Sequence, residues 1–274
     1  MSPVRRIHWL LLSGLLLLPG CPAAQRQNVG FPRTLRLLTW NVWEKPYRLD
    51  ARVPALLQEI QATDADIIAL QEVTPAFLAI LDGAAWVRAY HRVQEGEYVL
   101  LSRFPVEAAV RIPLPGHLKR ESLVCRLSCE GRTLSVGVVH LESFLEDGPM
   151  RARQLDLILP RLAGTDDAVL LGDFNFGDHE PESSHLDPGY QDLWRSLYPS
   201  MEGFTWDIER SLLARKGSFP GESSRRLDRI LVRSSIWKPE SIRIEGATPL
   251  GPERNLWPSD HFGLCGSVTG VIRQ

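Results

Sequence analysis

The chain has 274 residues, of which 44% are hydrophobic and 23% charged, the balance of a soluble globular protein with one large domain or at most two small ones. With 31 basic residues against 33 acidic, the formal net charge is −2, which excludes holding long nucleic acid mainly by neutralising its phosphates. Any contact with nucleic acid is local, and some of the eight tryptophans are candidates to line a substrate groove while others belong to the core.

The first segment reads as a secretory signal and not as part of the fold. Arg5 and Arg6 form a short basic start, and Trp9 to Leu18 is a greasy run broken only by Ser13 and Gly14. That run falls short of the about 20 apolar residues a membrane-spanning helix needs. It closes on Leu18-Pro19-Gly20-Cys21, which resembles the lipobox of bacterial lipoproteins, whose Cys receives lipid and becomes the new N-terminus. Residues 1–20 are therefore expected to be a lipoprotein-type signal segment. The mature chain would sit in the periplasm or cell envelope, attached to the membrane by lipid at Cys21. A plain cleaved signal and an uncleaved N-terminal anchor are the alternatives. Residues 21–34 are polar, contain Pro and Gly, and read as a tether; residues 35–274 read as one domain without repeats or a second linker.

In chain order, Leu35 to Trp40 is the first buried strand pattern. Val53, Leu56, Leu57 and Ile60 then share one helical face, Asp66 to Leu70 is a strand, and a helix starts near Pro75. Tyr98 to Leu101 and Leu123 to Leu127 are shorter strands, followed by the strong run Leu134 to Val139. Leu155, Ile158, Leu159 and Leu162 mark a second helix, and Ala168 to Leu171 a further strand. Leu227 to Val232, Ile242 to Ile244 and the apolar segment Phe262 to Val268 close the chain. Strands both alternate with helices and follow one another directly, which predicts mixed sheets. Residues 177–190 and 199–226 hold most of the turn chemistry and are expected to be long surface loops carrying specificity. Cys125 and Cys129 lie on one strand, where a four-residue span of roughly 13 Å is beyond a disulfide; with Cys265 they read as buried thiols.

Each of the four strongest strands ends in a group that can do chemistry. Trp40 is followed by Asn41, Leu70 by Gln71 and Glu72, Val139 by His140, and Leu171-Gly172 by Asp173 and then Asn175. Ser259, Asp260 and His261 lead into the last apolar segment. Polar groups just past buried strands emerge at a sheet edge, so strands sharing that edge would gather them. Glu72, Asp173, Asp260, Asn41 and Asn175 are hard oxygen donors, suited to Mg²⁺ or Mn²⁺ and not to a thiolate-preferring metal. Mg²⁺ takes one or two protein carboxylates and leaves room for water and phosphate; Glu72 is the first choice of ligand, and a metal there would polarise a phosphoryl oxygen. Asp173 is suited to orient or deprotonate water. A cationic His261 would stabilise the transition state or protonate the leaving oxygen, and Asp228 is a carboxylate able to keep an imidazole charged and correctly turned. Singly, each has a plainer reading: Asn41 as a turn cap, Glu72 as a partner of the helix start near Pro75, Gly172-Asp173 as a turn pair, His261 as a structural histidine. Their joint occurrence carries the chemical reading.

Thr39-Trp40-Asn41, Leu70-Gln71-Glu72-Val73, Gly172-Asp173-Phe174-Asn175 and Ser259-Asp260-His261 stand in the order found in the endonuclease/exonuclease/phosphatase superfamily, which the chain resembles from Leu35 onward. Within it, His140-Leu141-Glu142-Ser143, Thr205-Trp206-Asp207, Arg226-Leu227-Asp228-Arg229-Ile230 and Pro258-Ser259-Asp260-His261-Phe262-Gly263-Leu264 are similar to the tyrosyl-DNA phosphodiesterase 2 group. The resemblance implies an α/β fold of four layers, a sandwich of two mixed β-sheets flanked by helices. It implies Mg²⁺-dependent phosphodiester hydrolysis by direct attack of water, on DNA or nucleotide ends. The export signal raises two alternatives: a lipid or small phosphoester of the envelope as substrate, and a non-catalytic envelope binding protein on the same fold. By matched position, Glu72 is the metal ligand, and Asn41, Asp173 and Asn175 position water and phosphate. His261, His140 and Ser143 face the phosphate, Trp206 flanks the substrate path, Asp228 supports His261, and Asp260 belongs to the catalytic set. Gly177 stands where that group carries an arginine, so one phosphate or DNA contact is expected to be missing. No protein partner is expected.

Overall fold

Side-chain alternation along the strands builds the layers. In β1 (Thr34–Asn41), Leu35 and Leu37 face one way and Leu38 and Trp40 the other, and both sets are buried. The same split recurs in β2 (Ile67–Gln71), where Ile67 and Ala69 oppose Ile68 and Leu70, and in β8 (Asp167–Asp173), where Val169 and Leu171 oppose Ala168 and Leu170. Strands buried on both faces read in sequence as near-continuous apolar runs.

The computed structural model describes residues 34–129, 131–251 and 255–270. The signal segment, Cys21 and the tether up to residue 33 lie outside the described residues. One six-stranded sheet has the order β11 (Trp237–Glu245), β12 (Gly263–Gly270), β1, β2, β4 (Tyr98–Ser102), β3 (His91–Glu95). The other has the order β5 (Val106–Pro113), β6 (Glu121–Cys129), β7 (Arg132–His140), β8, β10 (Asp228–Arg233), β9 (Gln191–Asp192). β1 with β2 and β7 with β8 run parallel and the remaining pairs antiparallel, so both sheets are mixed.

Leu35, Leu37, Ile67 and Ala69 of the first sheet meet Leu134, Val136, Val138, Val169, Leu171 and Ile230 of the second, forming the central core. Helices α1 (Leu49–Thr63) and α2 (Pro75–Asp82) cover the outer face of the first sheet, with Val53, Leu56, Ile60 and Phe77 on Trp40, Ile68 and Leu70. Helix α3 (Gly148–Leu162) covers the second through Leu155, Ile158 and Leu162. These are the four layers the resemblance implied.

Three features depart from expectation. The four strands with chemical ends belong to two sheets, two strands each, and not to one sheet edge. β3 and β5 went unanticipated because most of their residues are exposed, so they lack an apolar alternation. The segment 199–226 is more than a surface loop: Thr205, Ser211, Ala214 and Arg226 are buried, Trp206 pairs with Arg225 through the backbone, and it contains a short helix (Leu212–Gly217). Its order comes from polar anchors such as Thr205 and Arg226 and from small apolar clusters around Trp206, Leu213 and Ala214, which leave no periodic signature. Cys125, Cys129 and Cys265 are buried and form no disulfide among the described residues.

Charge ties down the chain after β8. Asp178 accepts hydrogen bonds from Arg195, Arg226 and Arg229, and Arg226 also reaches Asp192 at 2.7 Å. Burial pushes the Asp178 carboxyl up, but the bonds from Arg226 and Arg195 win and hold it far below the ordinary carboxylate range. Asp178→Ala leaves the buried Arg226 and Arg229 to share Asp192, the carboxylate both also approach, and is expected to destabilise the fold by about 3–5 kcal/mol. A depressed carboxyl contributes stability that is complete above its unfolded pKa of about 3.9 and is lost as the pH falls toward its folded value. The Tm of the wild type should therefore drop below about pH 4, and Asp178→Ala should flatten that drop. Parallel Tm–pH curves for the two proteins would contradict the assignment.

Candidate active site

The parity that points Leu37, Val138 and Leu171 between the sheets also points Asn41, His140 and Asp173 there, because each lies an even number of residues further along its strand. The parallel pairs thus bring their polar ends to one end of the sandwich. Asp228 opens the antiparallel strand β10 and sits opposite Asp173 in the ladder. The segment entering β12 is pinned to β1: Ser259 Oγ donates to the Asn41 carbonyl at 2.7 Å, and Trp40 Nε1 donates to the His261 carbonyl at 3.0 Å.

Asn41 Nδ2 donates to Glu72 Oε1 and to Asp173 Oδ2, each at 3.0 Å. Asp173 Oδ1 accepts the Asn175 N–H at 2.9 Å, and Asn175 Nδ2 donates to the Leu141 carbonyl at 3.0 Å. His261 Nδ1 lies 2.8 Å from Asp228 Oδ2, with its Nε2 3.7 Å from Asp173 Oδ2. His140 Nε2 approaches Asp173 at 3.6 Å and Glu72 at 3.7 Å. The Trp206 ring lies 4.9 Å from that of His261. Glu72, His140, Ser143, Asp173, Asn175, Asp260 and His261 line one pocket of about 160 Å³, walled further by Trp206, Phe219 and Leu227. Asn41 and Asp228 stand behind it as hydrogen-bond partners.

Glu72 and Asn175 adopt left-handed backbone conformations, φ 59° and 55°. Such conformations cost a non-glycine residue roughly 1–3 kcal/mol and cluster at functional sites. Gly172, at φ 141°, must be glycine: a Cβ there would stand 2.0 Å from the Val139 carbonyl oxygen. The closeness of β7 behind it is what sets the neighbouring Asp173 against His140.

Burial pushes the His261 proton affinity down, but Asp228 and Asp173 overcome it and hold the imidazole well above its ordinary pKa, as a cation. Burial would raise Asp173, yet His261, His140 and the bonds from Asn41 and Asn175 keep it below the ordinary range, as a carboxylate. Asp260 is pushed up to about 7 by burial, opposed by His261 and reinforced by the charge of Glu72. The pocket therefore holds an ionised carboxylate between two imidazoles in a largely dry setting, an arrangement able to handle a proton on water and a negative charge on phosphorus oxygens.

Residues 38–261 match the Endonuclease/Exonuclease/phosphatase family. The chain belongs to that family. It is 28% identical over 243 residues to tyrosyl-DNA phosphodiesterase 2 of Xenopus laevis, covering 83% of this chain and 64% of the relative. It is 25% identical over 245 residues to that of Danio rerio, covering 84% and 65%. The chain thus spans less than two thirds of the length of these curated relatives. Among solved structures, D. rerio TDP2 complexed with single-strand DNA product superposes with a TM-score of 0.76 at 23% identity, covering 86% of this chain and 99% of that one. An endonuclease/exonuclease/phosphatase family protein from Bacteroides thetaiotaomicron gives 0.69 at 17%, covering 87% and 98%. The human Nocturnin catalytic domain gives 0.64 at 19%, covering 87% and 95%. The shared fold is the pair of mixed six-stranded sheets flanked by helices.

In this member of the family, several residues beyond the sequence motifs support the site. Glu97 Oε2 lies 3.2 Å from His140 Nδ1; Arg120 grips both Glu97 oxygens at 2.9 and 3.0 Å and reaches Ser143 Oγ at 2.9 Å. Burial raises Glu97, but His140 and Arg120 bring it down to about 2. Thr205 Oγ1 accepts the N–H groups of Leu227 and Asp228, each at 3.0 Å, setting Asp228 behind His261. Arg52 holds the segment after Asn41 through the carbonyls of Val42, Trp43, Lys45 and Tyr47. No local pattern announces these partners, since Glu97 and His140 are 43 residues apart and Arg120 and Ser143 are 23.

Asp173, Asp228 and His261 present ligand-type atoms within 4.8 Å of one another. With His261 Nδ1 engaged by Asp228 and the ring cationic, this trio works as an ion-paired unit. Glu72 is different: its side chain is 19% exposed on the pocket wall, with Asp260 beside it. The donors there are oxygens without sulfur, and the charge of Glu72 raises Asp260, so a hard divalent cation would offset a real excess of negative charge.

Proposed function

We propose that the chain is a phosphodiester hydrolase acting at DNA or nucleotide ends, with Mg²⁺ held by Glu72 and Mn²⁺ as the alternative cation. One observation carries the reading: Asp173 is an ionised carboxylate tied to Asn41 and Asn175 and flanked by His140 and the cationic His261. Asp173 orients a water and accepts its proton as the water oxygen bonds to phosphorus. The phosphorus–oxygen bond to the leaving group breaks on the opposite side. His261, His140, Asn175 and Ser143 donate to the phosphoryl oxygens as charge builds there, and no covalent enzyme intermediate is needed. A bound cation supplies electrostatic stabilisation of the phosphoryl oxygens.

Support for nucleic-acid ends comes from the tyrosyl-DNA phosphodiesterase 2 relatives and from Trp206 and Phe219, aromatic surfaces suited to a base or aryl group. The near-neutral charge favours a short local contact. On the same reading the chain is exported and attached to the envelope by lipid at Cys21, with Cys21→Ser expected to move it from the membrane to the soluble fraction. That location favours a second reading, hydrolysis of an envelope lipid or small phosphoester.

The test is a panel of oligonucleotides with free or aryl-blocked 5′ ends, sphingomyelin vesicles and inositol phosphates, with Mg²⁺ or chelator. The expected result is metal-dependent cleavage of oligonucleotides, reduced about 10²–10³-fold in Glu72→Gln. Faster turnover of the lipid or inositol substrates would replace the first reading with the second. Unchanged hydrolysis in Glu72→Gln would remove Glu72 from the metal-ligand role, and none in the wild type would point instead to a binding protein on this fold.

A further inference from the structure

Outside the catalytic pocket, three ligand-type side chains meet beside the segment that carries Ser143. His117, in the turn before β6, places Nε2 3.6 Å from Glu142 Oε2 and 3.3 Å from Asp147 Oδ2. All three ligand atoms lie within 4.8 Å of one another. The Glu142 and Asp147 side chains are 0% and 9% exposed, whereas that of His117 is 53% exposed. Two buried carboxylates this close repel unless a positive charge joins them.

The hydrogen bonds there leave one oxygen over. Glu142 Oε1 accepts the Leu118 N–H at 3.0 Å and Asp147 Oδ2 that of Phe144 at 3.3 Å. Glu142 Oε2 is buried and has no hydrogen-bond partner among the described residues, although His117 Nε2 stands 3.6 Å from it. Buried polar atoms are nearly always satisfied, so such an oxygen calls for a ligand. The turn is shaped around this carboxylate: Gly116 has φ 140°, and a Cβ there would stand 1.9 Å from Glu142 Oε1. The His117 ring stacks on Phe144 at 5.3 Å, which fixes the direction of its nitrogen.

We propose that His117, Glu142 and Asp147 form a divalent-cation site, separate from the catalytic pocket, that takes Zn²⁺. Imidazole and carboxylate are both ligand types that zinc accepts, and three of them leave its fourth tetrahedral position to water. With metal–ligand bonds of about 2.0–2.2 Å, a tetrahedral site spaces its ligands by about 3.4 Å; the two spacings to His117 are 3.6 and 3.3 Å. The imidazole selects against Mg²⁺, which prefers oxygen ligands and its own water. The exposed side of His117 gives the ion a way in. A cation here clips the turn before β6 to the connection between β7 and α3. Phe144 in that connection packs 5.6 Å from Phe219 on the catalytic pocket wall, so the clip would stiffen the pocket rim.

The full chain carrying Glu72→Gln, which removes the catalytic-site ligand, is stripped with chelator and titrated with zinc chloride by calorimetry and thermal melting. One zinc per chain and a rise in Tm are expected. His117→Ala on the same background should weaken binding at least about tenfold and abolish the rise. Asp147→Asn, which keeps the side-chain shape, should weaken it too. No zinc uptake by the Glu72→Gln protein, or uptake that both variants leave unchanged, overturns the site. The readout is independent of phosphodiester hydrolysis and stands whether or not that activity is found.

Discussion

Asp173→Asn is expected to lower kcat on a phosphodiester substrate by about 10²–10⁴-fold, the range of a lost general base. The substitution keeps the shape and removes two properties. An amide cannot accept a proton from water at neutral pH. It also cannot satisfy both neighbours, since Asp173 accepts from Asn41 Nδ2 on one oxygen and from the Asn175 N–H on the other. Whichever way the amide turns, its NH₂ faces a donor. That conflict loosens Asn41 and Asn175 as well, so the loss should exceed that of Asn41→Ala alone. KM should change much less than kcat, because Ser143, His140 and His261 still line the pocket. A kcat within tenfold of wild type, with the fold intact by circular dichroism, would remove Asp173 from the proton-transfer role.

Asp228→Asn comes next in expected size, about 10²–10³-fold in kcat. Asp228 touches no pocket space itself; it acts through His261 Nδ1 at 2.8 Å. Its charge is the leading influence that raises the His261 pKa against burial. Without it the folded pKa of His261 falls, and the cationic form persists only to a lower pH. The basic limb of the kcat–pH profile should therefore move to lower pH in Asp228→Asn, while His261→Ala should abolish that limb. A rate loss with an unmoved pH profile would make Asp228 a packing residue only. Thr205→Val, which removes the hydroxyl that accepts the Asp228 N–H, should give a weaker form of the same change.

Much of the site was legible because its residues sit at the ends of buried strands. Apolar runs such as Leu35 to Trp40 and Ala168 to Leu171 announce strands covered on both faces, and the polar residue that ends each run has to reach the sandwich edge. Asn41, Glu72, His140 and Asp173 are visible on that ground alone, and Asn175, Asp260 and His261 through the motifs around them. Edge elements were less visible. β5 exposes most of its residues, and the segment 199–226 is held by Thr205 and Arg226, whose partners lie outside it.

The sequence by itself determined the chemical parts, their order, and the parity that turns each strand-borne one inward, because strand alternation is a local property with period two. Only the tertiary structure decided that two sheets, and not one edge, supply those parts. It alone decided that Glu97 and Arg120 hold His140 and Ser143, that Thr205 sets Asp228 behind His261, and that His117 meets Glu142 and Asp147. The reason is physical: hydrogen bonds, ion pairs and desolvation act through space over a few ångströms, and the groups they join lie tens of residues apart along the chain.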